Sequence, residues 1–312
     1  MRIFDLHADI GVDIYEKLQQ KKQDILRNDH LPKLLKGEIY GVTMACFFSG
    51  KEDWTTMQHM ILDTGSEIKA NSDLFHWVKK ADDLIIDDKI LAIISVEGMC
   101  GIIDHVTERI DWLYDHGVRI GSLCWNESNS LAEGWPNNPL KGLTELGVEA
   151  IKQMNERKMI IDVSHTNEKT FWDIISFSQM PIIATHSNAR SLCNHQRNLT
   201  DQQIKAIGLK GGLVGLNAAK SFIHKDPTEQ TVMNLALHGR YIADLIGYEH
   251  LALGFDFMDF LSERFIGSMA IDMTNASQSQ RMIKALGEVG FSQKEVEAIA
   301  YKNVESFLKR YL

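Results

Sequence analysis

The chain has 312 residues, of which 44% are hydrophobic and 24% are charged, proportions typical of a globular protein with a sizeable buried core. Its formal net charge is −9, and its lysines and arginines form no cluster that could follow a phosphate backbone, so we expect no nucleic-acid partner. No run of about 20 uncharged apolar residues exists, and the sequence therefore predicts no bilayer-spanning helix.

Apolar runs of strand length alternate with amphipathic segments along the chain. The strand-like runs are 3–8, 41–48, 91–96, 119–124, 159–163, 181–185, 212–217 and 251–255. The helix-like segments between them are 10–22, 55–80, 104–116, 144–158, 167–178, 200–209 and 228–247. This alternation predicts βαβ units with a parallel sheet, and eight units over about 250 residues match a (β/α)8 TIM-like barrel of the α/β class.

The remaining C-terminal segments, 276–288 and 292–310, predict extra helices outside the barrel. Only five prolines are present and no Gly/Ser-rich or Pro-rich linker occurs, so residues 1–312 are expected to form a single domain. A doubly wound open sheet is the competing fold. It requires a glycine-rich phosphate loop after the first strand, where this chain has His7-Ala8-Asp9.

Side chains that bind metals stand where several predicted strands end. In chain order these residues are His7, Asp9, Glu97, His165, His186 and Asp256. A barrel gathers the carboxyl ends of its strands at one mouth, so we expect these side chains to meet there. The sequence therefore predicts a metal-dependent hydrolase.

In the first strand, alternation places Asp5, His7 and Asp9 on one face, predicted to be the lumen, and Phe4 and Leu6 on the face towards the helices. Polar side chains inside a lumen are costly unless they coordinate an ion or pair with one another. The alternative to a metal site is a hydrogen-bonded pair of His7 and Asp9 that caps the strand.

Glu97 could hold two cations at once, one on each carboxylate oxygen, and a pair of divalent ions about 3.5–4 Å apart would bind a hydroxide between them. The alternative is a buried acid paired with a lysine or arginine. Asp256 could be a ligand, a proton shuttle, an ammonium binder or a plain loop aspartate. From spacing alone, Arg197 could be either a functional residue or a solvated loop arginine.

Together these residues match the sequence motifs of a known family. The chain resembles the membrane (renal) dipeptidase family of dinuclear zinc peptidases, which belongs to the group with amidohydrolase-like barrels. The matching strings are Asp5-Leu6-His7-Ala8-Asp9, Val96-Glu97-Gly98, Ile161-Asp162-Val163-Ser164-His165, Thr185-His186-Ser187-Asn188, Arg197-Asn198-Leu199-Thr200-Asp201 and Gly254-Phe255-Asp256-Phe257. They occur in family order and span nearly the whole chain.

The resemblance implies a role for each residue. His7 and Asp9 would hold one zinc ion, His165 and His186 would hold the other, and Glu97 would bridge both. A metal-bridging hydroxide would attack the scissile carbonyl. Arg197 would bind the carboxylate of a dipeptide, and Asp256 would hold its ammonium and pass a proton to the leaving amine.

The chain departs from the family pattern at the end of the fourth strand. Animal members carry a histidine there that contacts the oxyanion, whereas this chain has Trp125. Oxyanion stabilisation is then expected from zinc, with Asn126 or Asn129 as candidate donors. Trp125 is expected either to line the substrate pocket or to be a packing residue.

The leading hypothesis is a dizinc dipeptidase that acts on small dipeptides. The family resemblance implies that L-D dipeptides are among its substrates. The first alternative keeps both metals but changes the substrate to N-acyl amino acids or a lactam. The second alternative is a barrel that binds a peptide or a metal without turnover, against which the complete ligand set argues.

The four cysteines lie far apart with no C-x-x-C pair, which favours reduced thiols and a cytoplasmic location. A cleaved signal peptide is not expected, because cleavage would remove His7. The chain ends in Lys309-Arg310-Tyr311-Leu312, so the lipid anchor of the family is not expected either. The resemblance makes a homodimer a further expectation.

Overall fold

The computed structural model describes residues 1–85, 88–261, 265 and 267–312. Its strands are β1 (Ile3–Ala8), β2 (Ile39–Phe47), β3 (Phe75–Trp77), β4 (Ile90–Glu97), β5 (Val118–Ser122), β6 (Ile160–Asp162), β7 (Ile182–Ile183), β8 (Val214–Leu216) and β9 (Leu251–Leu253). All of these strands pair in parallel within one sheet.

The strands follow the order β7-β6-β5-β4-β2-β1-β9-β8 around the sheet. A parallel bridge between Ala184, just after β7, and Val214 of β8 joins the two ends of this order. The short β3 lies off the path and pairs with the first half of β4. The result is a nearly closed eight-stranded parallel barrel, which confirms the predicted TIM-like fold.

Helices surround the barrel. They are α1 (Ile10–Gln19), α2 (Leu31–Lys36), α3 (Trp54–Ala70), α4 (Val106–Asp115), α5 (Glu145–Glu156), α6 (Glu168–Phe177), α7 (Asp201–Leu209), α8 (Lys220–Ile223), α9 (Val232–Ile246), α10 (Gln280–Glu288), α11 (Gln293–Glu297) and α12 (Asn303–Tyr311). Single turns of π-helix occur at Leu26–His30 and Ala298–Lys302, and short 3-10 helices at Ala81–Asp83, Pro227–Glu229, Tyr248–His250 and Ala276–Gln278. None of the helices in the described ranges combines the length and the hydropathy needed to cross a bilayer.

Polar side chains fix the starts of several crossover helices. The side chains of Thr144, Asn167 and Thr200 each accept the backbone N–H three residues further on. Such caps satisfy an N–H that has no partner inside the helix, and each stabilises its helix by about 1 kcal/mol. The caps therefore set where each helix leaves the loop that follows a strand.

One predicted segment is divided in the structure. The helix pattern over 55–80 was expected to be continuous, but α3 ends at Ala70 and the aromatic run Phe75–Trp77 forms β3. The Phe75 side chain is buried, and β3 pairs with the edge of β4 before β5 begins. In the segment 75–77, hydrogen bonding to the unpaired edge of β4 stabilises a strand in place of the predicted helix.

The face assignment predicted for β1 is wrong. Phe4 and Leu6 belong to a buried cluster with residues of the other strands and of α12, which places them inside the barrel. Asp5 faces outwards, into a small cavity that it shares with Ile10 of α1. The pairing of β1 with β2 shifts register between Asp5 and Ala8, and this irregularity turns His7 towards the mouth.

Apolar side chains fill the lumen below the mouth. Every second residue of the strands points inwards, and α12 packs against the lower end of this cluster. The members include Leu91, Ile93, Ile120, Ile160, Ile183, Ala252, Val304, Phe307 and Leu308. The lumen is therefore a packed core with polar side chains at its mouth, as in other barrels of this type.

Candidate metal centre

The loops at the carboxyl ends of the strands bring all six predicted residues to one mouth of the barrel. Glu97 is the last residue of β4, and Gly98, at φ +86°, turns the chain away directly after it. His7 lies near the end of β1, and the other four members follow β1, β6, β7 and β9. All six side chains are buried, with exposures from 1% to 8%: His7, Asp9, Glu97, His165, His186 and Asp256.

Glu97 lies between two sets of imidazoles. Its Oε1 is 2.6 Å from Nε2 of His165 and 3.3 Å from Nε2 of His186. Its Oε2 faces the other side and is 3.5 Å from Nε2 of His7. That nitrogen is also 3.5 Å from Oδ1 of Asp9. The two carboxylate oxygens therefore point to different ligand pairs.

Hydrogen bonds fix the tautomers of two imidazoles. His186 Nδ1 is 2.8 Å from the Thr185 hydroxyl, which donates to Asp162 Oδ2 at 2.6 Å. Because that hydroxyl has one proton, His186 must be the donor at Nδ1, and its Nε2 carries a lone pair. His165 Nδ1 is 2.9 Å from Asn126 Oδ1, so the same reasoning leaves a lone pair on its Nε2.

Those two lone pairs lie 2.9 Å apart, and a carboxylate oxygen of Glu97 faces both. Among the described residues, His7 Nε2 and Asp9 Oδ1 have no hydrogen-bond partner although both are buried. Arg197 Nη2 lies 3.0 Å from Nε2 of His165, but the convergence of several buried acceptors still favours a bound cation. The groups close enough to share an ion include Glu97 with both later histidines and His7 with Asp9 and Asp256. The residues present therefore fit a metal centre.

Electrostatics agree with this arrangement. Burial, together with the nearby charge of Arg197, lowers the pKa of His165 to about 4. Burial also lowers the pKa of His186 well below its usual value. At His7 burial acts in the same direction, but the carboxylates of Glu97 and Asp9 outweigh it and raise the pKa. The later pair is thus held in the neutral form that binds metals, and the first site attracts positive charge.

Asp256 is held in a strained conformation beside the ligands. Its φ is +58°, in the left-handed region that costs a residue other than glycine about 1–3 kcal/mol. Its backbone N–H donates to His7 O at 3.1 Å, and Asn217 donates to its Oδ2 at 3.1 Å. Burial, together with the nearby carboxylates of Asp9 and Glu97, raises the pKa of Asp256 to about 8.

Arg197 is a buried cation in this site. Its side chain is 4% exposed, and its Nη2 lies 3.0 Å from Nε2 of His165. Its Nη1 has no hydrogen-bond partner in the described part of the chain. The backbone N–H of Arg197 donates to Nδ1 of His195 at 3.1 Å. A guanidinium with an uncommitted donor faces the cavity rather than solvent.

A cavity of about 360 Å³ opens above the centre, and its walls include the aromatic rings of Trp125, Trp135 and Phe222. Trp125 contributes to it and packs edge-on against Phe47 at a centroid distance of 4.8 Å. Asn126 also lines the cavity, although its Oδ1 is engaged by His165. Asn129 is turned away from the cavity lining and donates to Leu123 O.

Sequence reasoning assigned no role to two residues that support the centre. Asp162 accepts from the backbone and hydroxyl groups of both Ser164 and Thr185. Asn217 holds Asp256. Strand alternation could have indicated both, because Asp162 is two residues after Ile160, which belongs to the lumen cluster, and Asn217 lies at the end of the seventh predicted strand.

Comparisons with known proteins agree on one family. The family model described as membrane dipeptidase, peptidase family M19, matches residues 1–310. An uncharacterized protein from the pqqA 5′ region of Klebsiella pneumoniae is 36% identical over 233 residues, which cover 72% of this chain and 83% of that protein. An uncharacterized dipeptidase of Schizosaccharomyces pombe is 30% identical over 290 residues, covering 82% and 68% of the two chains.

Solved structures agree in fold. A metallopeptidase of Rhodobacter sphaeroides, bound to a phosphinate mimic of the dipeptide L-Ala-D-Ala, superposes with a TM-score of 0.87 at 21% identity, covering 100% of this chain and 99% of that chain. The family match extends over nearly all of the chain, and the metal-binding groups lie where the strands of such a barrel end. The chain belongs to the membrane dipeptidase family and is a metal-dependent dipeptidase, a hydrolase.

Proposed function

We propose that this protein hydrolyses the peptide bond of small dipeptides with two zinc ions, one held by His7 and Asp9 and the other by His165 and His186, with Glu97 shared between them. The observation that carries this proposal is the division of the two Glu97 oxygens between separate histidines. Imidazole and carboxylate ligands suit zinc. A single-metal site would leave one of the two ligand pairs without a function.

When bound, the zinc ions would polarise the scissile carbonyl and supply hydroxide as the nucleophile at neutral pH. Arg197 offers its free Nη1 donor to the substrate's carboxylate, because a guanidinium binds carboxylates in a fork. Asp256 binds the substrate's ammonium, takes up the proton released by the attacking water and transfers it to the leaving amine. Two charged anchors around one peptide bond restrict the substrate to two residues.

Substrates with a D-residue at the carboxyl side are included in the proposal. The Rhodobacter sphaeroides metallopeptidase with the same fold binds a mimic of L-Ala-D-Ala. The cavity of this chain has a volume of about 360 Å³, and its walls include several aromatic side chains. Asp256 favours dipeptides over N-acyl amino acids, because an acylated nitrogen gives it no ammonium to bind.

Free dipeptides and metal content test the proposal together. Purified protein is expected to contain about two zinc ions per chain and to hydrolyse L-Ala-L-Ala and L-Ala-D-Ala, but not N-acetyl-alanine. Glu97→Gln should lower kcat/KM more than 100-fold, because losing a ligand costs more than the 10- to 100-fold loss that is typical of outer-shell changes. Glu145→Gln, an exposed carboxylate on α5, is the control. Near-normal turnover by Glu97→Gln, or preferred cleavage of N-acyl amino acids, would overturn the proposed function.

The setting that we propose is the cytoplasm. The cysteines Cys46, Cys100, Cys124 and Cys193 are free thiols, and three of them are buried, which supports a reducing environment. We also propose a homodimer. Light scattering on the purified protein tests that part, and a monomer at micromolar concentration would contradict it.

A further inference from the structure

A second cation, Lys220, lines the substrate cavity and forms no ion pair with a carboxylate among the described residues. Lys220 follows β8 by four residues and is half-buried in the cavity wall. Backbone hydrogen bonds hold it there: Lys220 N donates to Ser268 O at 2.9 Å, and Ala219 N donates to Asn217 Oδ1 at 2.7 Å. Its place on the wall is therefore set by the loop that also supports Asp256.

The ammonium of Lys220 lies close to the segment that contributes Ser268 to the cavity wall. Its Nζ would lie 3.9 Å from a Cβ placed on Gly267, and Ser268, the next residue, lines the cavity. Within residues 1–85, 88–261, 265 and 267–312, no carboxylate forms an ion pair with it. By contrast, Lys17 and Lys33 both pair with aspartates.

The described carboxylates of the cavity have partners other than Lys220. Asp9 and Glu97 are metal ligands in the proposed function, and Asp256 is held by Asn217 beside them. The remaining walls are largely apolar and include Phe47 and Met258. A cation at the edge of such a cavity is stabilised by an anion from the substrate, and a charge-assisted hydrogen bond would form with a carboxylate.

Because Arg197 is expected to take the α-carboxylate, Lys220 is available for a second one. We propose that the preferred substrates are dipeptides with an aspartate or glutamate side chain, whose side-chain carboxylate pairs with Lys220. This inference rests on the proposed function. It concerns only which dipeptides the same site prefers.

A kinetic panel tests the inference. Ala-Asp, Ala-Asn, Asp-Ala, Asn-Ala and Ala-Ala are compared by kcat/KM on the zinc-loaded full-length protein. The two positional pairs show which residue of the dipeptide carries the acid. The wild type is expected to prefer the acid over its amide about 5- to 20-fold at one position, the range of one charged hydrogen bond in a partly exposed site.

Two substitutions assign the preference to Lys220. Lys220→Met should bring the acid-to-amide ratio close to 1, and Lys220→Glu should reverse it in favour of Ala-Lys or Lys-Ala. Lys225→Met, at an exposed position between α8 and α9, is the matched control and should keep the wild-type ratio.

A wild-type ratio near 1 at both positions, or a Lys220→Met ratio equal to that of the wild type, would overturn the inference while leaving the dipeptidase proposal intact. Absence of hydrolysis of every dipeptide, Ala-Ala included, would overturn both. The two failures are therefore distinguishable.

Discussion

We propose that Arg197 recognises the free carboxylate of a dipeptide. It is buried, and one of its terminal nitrogens has no partner in the described residues. Arg197→Ala is expected to raise KM for free dipeptides about 10- to 100-fold, the range of a buried hydrogen bond to a charged group. The same change should alter KM for C-terminally amidated dipeptides much less. Steady-state kinetics on both substrate series check this.

Arg197→Lys separates charge from shape. It keeps a positive charge but loses the planar fork, so KM should lie between those of the wild type and of Arg197→Ala. Arg240→Ala, which removes an arginine paired with Asp244 on α9, is the control. Equal KM changes for free and amidated substrates would show that Arg197 does not bind the carboxylate.

Asn126 offers a choice between two roles. It was predicted to contact substrate or oxyanion, whereas the structure engages its Oδ1 with Nδ1 of His165. We expect Asn126→Leu to weaken zinc binding about 10-fold, as loss of a partner that orients a metal-binding histidine does, and Asn126→Asp to retain it. Chelator competition measures the affinity. Full zinc affinity with a reduced kcat in Asn126→Leu would instead support the oxyanion role.

At the level of elements, the ends of β6 and β7 work as one unit. Asp162 at the end of β6 accepts from the backbone N–H and hydroxyl of Thr185 beyond β7. The same hydroxyl accepts from His186 Nδ1, so one threonine connects a buried acid to a candidate ligand. The strands are only three and two residues long, and these side-chain bonds replace ladder hydrogen bonds that short strands lack.

Thr185→Val tests this connection, because it removes the hydroxyl and preserves the shape. It should lower zinc affinity about 10- to 100-fold, since outer-shell partners of ligating histidines contribute that much. Thr185→Ser keeps the hydroxyl and should bind zinc nearly as the wild type does. Titration with a competing chelator gives both zinc affinities. Equal affinities for the two variants would show that the Thr185 hydroxyl does not support zinc binding through His186.

Elements with regular periodicity could be predicted from the sequence, and irregular ones could not. The barrel and its order of strands and helices follow from alternating patterns, and Glu97 falls at the lumen position that its spacing from Ile93 requires. In β1, however, strict alternation put Phe4 and Leu6 on the wrong face. The shift in register after Asp5 depends on backbone N–H groups of His7 and Phe255 that Asp5 accepts. The bond to Phe255 spans 250 residues, so local patterns carry no sign of it.

For the whole molecule, charge and apolar packing occupy opposite ends of one barrel. The lumen below the mouth is apolar and is closed by α12, whereas the mouth holds three carboxylates, three imidazoles and a guanidinium, all buried. Burying so many ionisable groups is costly unless they neutralise one another or bind ions. Metal binding should therefore raise the stability of the entire fold.

Acid stability also depends on a histidine far from the metal ligands in the sequence. His238 on α9 accepts from Ala189 N at Nδ1, at 3.1 Å, and donates from Nε2 to Ile223 O at 2.8 Å. It is thus neutral in the fold, and burial lowers its pKa to about 4. An unfolded histidine titrates near 6.5, so between these values the unfolded state binds more protons and stability rises with pH.

From pH 7 to pH 5 this single group should therefore remove about 2 kcal/mol from the free energy of unfolding. His238→Gln cannot take up the proton, so the difference in unfolding free energy between wild type and variant should shrink by that amount over the interval. Above pH 7.5 both side chains are neutral and the difference should be constant, which serves as the internal control. Urea denaturation of the zinc-loaded proteins at several pH values measures the unfolding free energies. A difference that stays constant down to pH 5 would show that His238 takes up a proton as readily in the folded protein as in the unfolded chain.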